Sequence, residues 1–268
     1  MVAYLLGSVF VLGWISWAVV KLAREEGEGG RAPIEVRSPS DRHLEGVRMS
    51  VFRDGKLDWD IRADEAVADE SWDHIEFTAV HVDSRINDSE SLQSRAPTGR
   101  VDRTTDVFEL TGDVLTVADV NVAPETASGE KKTEKIEIRS DRMTAHEKDN
   151  KATFEGNVVA TTTDYFVKAE TMDANYDPKT HEILGFTGKG SVKVIDRKDP
   201  TTWGEGKEGV YDKKNGEIVL TGEPRIHQGD KISAGDKVLI TLNDKKMVVL
   251  GSDKQPVQTI VPEKDVRQ

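Results

Sequence analysis

The chain has 268 residues, a formal net charge of −12 and no cysteine, which excludes disulfides, thiol catalysis and cysteine-ligated metals. The acidic balance, without a clustered Lys/Arg stripe, excludes a nucleic-acid surface, because phosphates must be neutralised. Residues are 36% hydrophobic and 32% charged, and the first twenty positions take a large share of the apolar ones, so the remainder can build only a thin core.

Met1–Val20 carries no charge. At about 1.5 Å rise per residue it would span the roughly 30 Å hydrocarbon layer, so residues 1–20 are expected to form one N-terminal transmembrane helix. Trp14 and Trp17 lie near its C-terminal end, where interfacial aromatics belong. The alternative is a signal peptide cleaved near Ser16-Trp17-Ala18, but no basic region precedes the run and the run is long for such a segment. Lys21 and Arg24 follow it, then Glu25, Glu26 and Glu28, and charge alone does not fix the orientation. Residues 21–43 hold Gly27, Gly29, Gly30, Pro33 and Pro39 without periodicity and read as a linker.

From residue 44 the chain repeats itself. Apolar couplets precede a small residue six times: Ile75/Phe77 before Ala79, Phe108/Leu110 before Gly112, Ala152/Phe154 before Gly156, Leu184/Phe186 before Gly188, Ile218/Leu220 before Gly222, and Met247/Val249 before Gly251. The spacing of about 30–45 residues marks one supersecondary unit copied and stacked. Glu76, Glu109 and Thr153 lie between the couplet residues, and Thr78, Thr111, Glu155, Thr187 and Thr221 follow them, the period of a half-buried strand. The small residue reads as a bulge or bend, because alternation resumes in Val158-Val159-Ala160, Val192-Lys193-Val194 and Pro224-Arg225-Ile226. Polar turns at 69–73, 103–106, 147–150, 177–181, 212–216 and 243–246 precede the couplets. Another alternating strand precedes each turn, as in Met143/Ala145, Met172/Ala174 and Val238/Ile240. Ser84–Thr98 and Val122–Thr133 are polar interruptions expected to be loops, and residues 253–268 read as a disordered tail. The fold expected is all-β: an elongated jellyroll or solenoid-like stack of antiparallel hairpins behind one transmembrane helix.

Nothing in the sequence points to catalysis. The histidines at 43, 74, 81, 146, 181 and 227 have no metal-ligand spacing, and no catalytic residue or cofactor is expected. Asp58 and Asp60 share a strand face and read as solvated. Gly185–Ser191 lacks the spacing of a phosphate loop. What remains is the apolar stripe: Ile75, Phe77, Phe108, Leu110, Met143, Phe154, Val158, Met172, Leu184, Phe186, Ile218, Leu220, Met247 and Val249. These side chains either seal a core or line a channel for acyl chains, in which each buried methylene contributes about 0.8 kcal/mol.

Three stretches carry a family resemblance: Ile138–Ala160, Val167–Asp177 and Gly216–Ile226. They resemble the LptC/LptA (OstA-like) family of lipopolysaccharide-transport periplasmic proteins. The N-terminal run, with Leu44–Phe52 and Leu57–Asp64, resembles the membrane-tethered LptC type, and the later half the soluble LptA type. The resemblance implies an LptC-like part at 44–135 and an OstA/LptA-like part at 136–252. It implies a single-pass inner-membrane anchor with the body in the periplasm of a Gram-negative bacterium. It also implies a non-enzymatic carrier that receives lipopolysaccharide from an ABC transporter permease/ATPase complex and passes it along an apolar groove. A periplasmic bridge protein would then dock by edge-strand pairing, with Lys237, Leu239, Val248 and Leu250 as the candidate edge. A membrane-tethered envelope scaffold with a sealed core is the alternative reading, and a carbohydrate-active enzyme is a third, with no evident carboxylate pair to support it.

Overall fold

Alternation and mid-strand bends build the architecture. The computed structural model describes residues 19–20, 42–53, 56–85, 90–121, 133–146, 149–177, 180, 182–242 and 246–260. The expected anchor and linker lie outside the described residues, apart from Val19, Val20, Arg42 and His43. Among the described residues no helix is long and apolar enough to cross a membrane. The strands are β1 Val19–Val20, β2 Arg42–Arg53, β3 Lys56–Ala68, β4 His74–Arg85, β5 Ser91–Asp102, β6 Val107–Asn121, β7 Thr133–His146, β8 Lys151–Thr161 and β9 Tyr165–Tyr176. They continue as β10 Ile183–Asp196, β11 Thr202–Asp212, β12 Glu217–Thr221, β13 Arg225–Gln228, β14 Lys231–Ala234, β15 Lys237–Thr241, β16 Lys246–Leu250 and β17 Gln258–Ile260.

Consecutive strands pair antiparallel from β1 to β11. β6 and β7 pair from Val107↔His146 to Asn121↔Thr133, so the sheet is unbroken where the two family-like parts would meet. Beyond β11 each long strand is split into two short ones. β12, β15 and β16 continue one half of the sheet, while β13, β14 and β17 continue the other. Among the described residues the strands at the two ends do not pair with each other, and the sheet stays open.

Bulges bend the long strands near their middles. The register shifts between Thr111 and Val114, Arg139 and Arg142, and Glu155 and Val158. Paired left-handed residues make the bends: Gly112 and Asp113, Gly156 and Asn157, Gly190 and Ser191, Gly222 and Glu223. Gly156 has φ +75° and a Cβ there would fall 2.3 Å from Asp141 Oδ2, so this position requires glycine. Ala79, at φ +56°, bends the first copy without one. Two expectations differ. In the fourth copy the bend lies at Gly190–Ser191, while Gly188 is a buried strand residue whose absent side chain leaves room for Val192. Gly251 lies just beyond β16 and has no left-handed φ. A strand glycine serves close packing as readily as it serves a bend.

Both halves of each bent strand bury alternate residues toward the same interior. In β6, Phe108 and Leu110 precede the bend and Val114, Ala118 and Val120 follow it, yet all join one core cluster. That cluster extends from Val47 to Phe186; a second, from Tyr165 to Ile240, adjoins it through Val167 and Tyr211. Two stretches expected to lack structure contribute strands. Most of Ser84–Thr98 is paired in β4 and β5, where Leu92, Ser94 and Ala96 are buried in alternation. In the expected tail, Gln258–Ile260 pairs with β14.

Because the strands are antiparallel, successive turns alternate between two rims. Turns 69–73, 103–106 and 213–216 lie on one; Glu90, just before β5, and turns 162–164, 197–201 and 229–230 lie on the other. The rims approach each other across the interior. Trp59, near the second rim, meets Phe108, near the first, edge-on at 5.8 Å between ring centroids.

Candidate functional site

The sheet registers the predicted stripe into two parallel cross-strand rows. One runs Phe77, Gly99, Leu110, Met143, Phe154, Met172, Gly188, Gly209, Leu220, Val238, Val249, each residue opposite the next. The other runs Ile75, Val101, Phe108, Ala145, Ala152, Ala174, Phe186, Tyr211, Ile218, Ile240, Met247. Five of the six couplets therefore give one residue to each row, the fourth gives Phe186 alone, and the rows continue through every strand from β4 to β12 and on through β15 to β16. From β4 to β12 the stripe residues in these rows are buried; at β16 Met247 and Val249 are only half-buried.

Two predicted lining residues lie elsewhere. Val158 is buried beyond the bend, in the facing layer, opposite Ala169. Leu184 is 52% exposed on the outer surface. The register slips between Ile183 and Gly185, which turns Ile183 and Phe186 inward and Leu184 outward. One extra residue in one strand is enough to reverse a side chain.

Apart from Val158, the facing wall escaped the sequence reading as a lining. Val82, Ser94, Thr116, Ile138, Ala160, Val167 and Val194 form it, again in direct register. The alternation after each bend was its signal, but Ser94 and Thr116 disguise it. Their hydroxyls are buried and bonded to each other at 2.9 Å, which makes two polar residues tolerable in an apolar wall.

The two apolar rows carry no acidic or basic side chain other than the tyrosine hydroxyl of Tyr211. Burial pushes the Tyr176 hydroxyl up to about 12 and raises that of Tyr211 further, so both stay neutral. Among the described residues no three His, Asp or Glu side chains cluster as metal ligands. Asp60, one of the paired carboxylates, accepts from Arg48 Nε at 2.9 Å and from Ser50, and Arg48 holds it below the usual carboxylate range. The side chain of Asp58 lies outside the described residues.

The candidate edge divides. β15 pairs with both β12 and β16, so Lys237 and Leu239 are internal to the sheet. Among the described residues β16 pairs with β15 alone, and its Val248 and Leu250 are each 44% exposed.

Residues 137–246, from β7 to the start of β16, match the family model described as LptA/(LptD N-terminal domain) LPS transport protein. This segment is LptA-like. Among solved structures the chain is similar to LptH, titled the LptA homologous periplasmic component of the conserved lipopolysaccharide transport device from Pseudomonas aeruginosa. That likeness has 16% identity and a TM-score of 0.40, covering 47% of this chain and 94% of that one. No curated protein matches the chain. The LptA-like segment holds the second core cluster and most of both rows, while β2–β6 extend the same sheet toward the N-terminus.

Proposed function

We propose that the chain is a periplasmic carrier in lipopolysaccharide export, tethered to the inner membrane by residues 1–20. Lipopolysaccharide enters from an ABC transporter permease/ATPase complex, and its acyl chains travel between the two walls toward β16. A bridge protein of LptA type accepts them there by pairing with the free edge of β16, whose exposed Val248 and Leu250 would be covered. The carrying observation is the unbroken pair of apolar rows from β4 to β16, which gives an acyl chain a continuous apolar surface. Each methylene leaving water contributes about 0.8 kcal/mol, which is set against the interior packing given up as the walls part. No covalent chemistry is required of the chain.

A sealed envelope scaffold is the second reading, favoured by the near-complete burial of the rows between β4 and β12. The two differ in one experiment. Purified protein is incubated with lipopolysaccharide and separated by size, and bound lipid is quantified. A carrier retains lipid in near-stoichiometric amount and releases it to an LptA-type acceptor; a scaffold retains none.

A further inference from the structure

Glu90 is an unexpected residue for a thin apolar core. Its side chain is fully buried at the second rim, just before β5. A carboxylate there is tolerable only when paired. Its Oε1 accepts from the Asn121 backbone N–H at 3.0 Å and from Lys213 Nζ at 2.5 Å. Lys213 is 123 residues away in sequence and belongs to the opposite rim, in the turn between β11 and β12. The turn holds that lysine firmly. Asp212 Oδ1 accepts from the Lys214 and Asn215 backbone N–H groups, Gly216 is left-handed, and the Lys213 N–H donates to the Leu184 carbonyl at 3.3 Å. Beside it Tyr211 stacks on Phe186 in the second apolar row, its hydroxyl buried without a partner.

We propose that Lys213 and Glu90 form a latch across the mouth between the two walls, and that it must release before the interior admits an acyl chain. This rests on the carrier reading above. With the latch closed, the rims are joined and the rows stay dry. When it opens, the rims part, and Tyr211 and Phe186 become the first interior surface uncovered. Elsewhere along the mouth the Trp59–Phe108 contact is apolar, so an entering chain can replace it like for like; the ion pair is the step with polar cost. Position in the fold sets the role: the latch ties β11–β12, inside the LptA-like segment, to β4–β5 outside it. Release therefore loosens both parts together.

The chain has no native cysteine, so Glu90→Cys with Lys213→Cys introduces the only thiols. A short bismaleimide joins them, and uptake of N-phenyl-1-naphthylamine is followed by fluorescence. The latch predicts uptake at least tenfold slower in the joined protein than in the same protein unjoined, with the unjoined form faster than wild type. Equal uptake in joined and unjoined protein overturns it. The double variant Glu90→Gln/Lys213→Met, which leaves no lone buried charge, gives an independent reading: uptake several-fold faster than wild type with unchanged circular dichroism. Lipopolysaccharide retention by wild-type protein is measured in parallel. Retention without any effect of joining removes the latch alone; control of probe uptake without retention removes the carrier reading and leaves the gate.

Discussion

Strands β2–β11 are 11–15 residues long, whereas β12–β17 have 3–5. The same apolar rows cross both regions. In the first, bulges in β6, β8 and β10 bend the strands without ending them, and the interior is buried. In the second, the bend becomes a break. Gly222-Glu223-Pro224 separates β12 from β13, and proline removes a backbone donor where a ladder would continue. Gly235 and Asp236 separate β14 from β15. With each row anchored by a few hydrogen bonds, the last strands can shift at lower cost than the first. On the carrier reading proposed above, a bulged, buried wall followed by a broken, half-exposed end suits a conduit where cargo is handed on.

The sharpest test of this contrast is core truncation. Phe154→Ala should cost about 3–5 kcal/mol in chemical denaturation, because the ring is 1% exposed and leaves a cavity. Met247→Ala, half-buried on β16, should cost about 1 kcal/mol. Equal losses would erase the difference between the two regions.

Bend glycines give a smaller effect. Gly156→Ala combines a left-handed φ with a clash against Asp141 and should cost about 2–3 kcal/mol. Gly229→Ala, in a turn between β13 and β14 with nothing within 4 Å, should cost about 1 kcal/mol from φ alone. Thermal denaturation of both variants measures how much of the long-strand geometry depends on the bends.

Val248→Lys on the free edge should leave stability within about 0.5 kcal/mol of wild type while weakening association with an LptA-type acceptor. A pull-down with that acceptor, run beside a melting curve, separates the two effects.

The turns differ in pH response. Asp69 is held at about 2 by its bond to His74, and His74 is raised in turn by Asp69. The Asp69 contribution is complete above the usual carboxylate range and fades as pH falls toward 2. The His74 contribution is present below the ordinary histidine value and is lost as pH rises through its raised one. Amide protection in turn 69–73, taken relative to the intrinsic exchange rate at each pH, should thus be greatest between roughly pH 4 and 6.5 and fall on both sides. In turn 197–201, Asp199 is lowered by the hydroxyls of Thr201 and Thr202 in place of a histidine, so protection should fall only on the acid side.

Much of this was legible in sequence because the couplets follow the strand period directly. Phe108/Leu110 and Ile218/Leu220 needed nothing beyond alternation and a glycine to be placed on one buried face. Leu184 was not legible, since an irregular register at the start of β10 turns it outward without altering the local pattern. Strand β5 was missed because its inward residues include serine, alanine and glycine, which fit facing side chains and are silent in hydropathy. Glu90–Lys213 was beyond reach for another reason: its partners meet only after the strands between them have curled one rim over to the other.

The central claim is that acyl chains travel along the inner rows and nowhere else. A photo-crosslinking amino acid at Phe154, inside, is compared with one at Leu184, outside, in cells exporting lipopolysaccharide. The account predicts a lipopolysaccharide adduct at Phe154 and none at Leu184. Adducts to protein neighbours alone at Phe154, or equal lipid labelling at both positions, would contradict it.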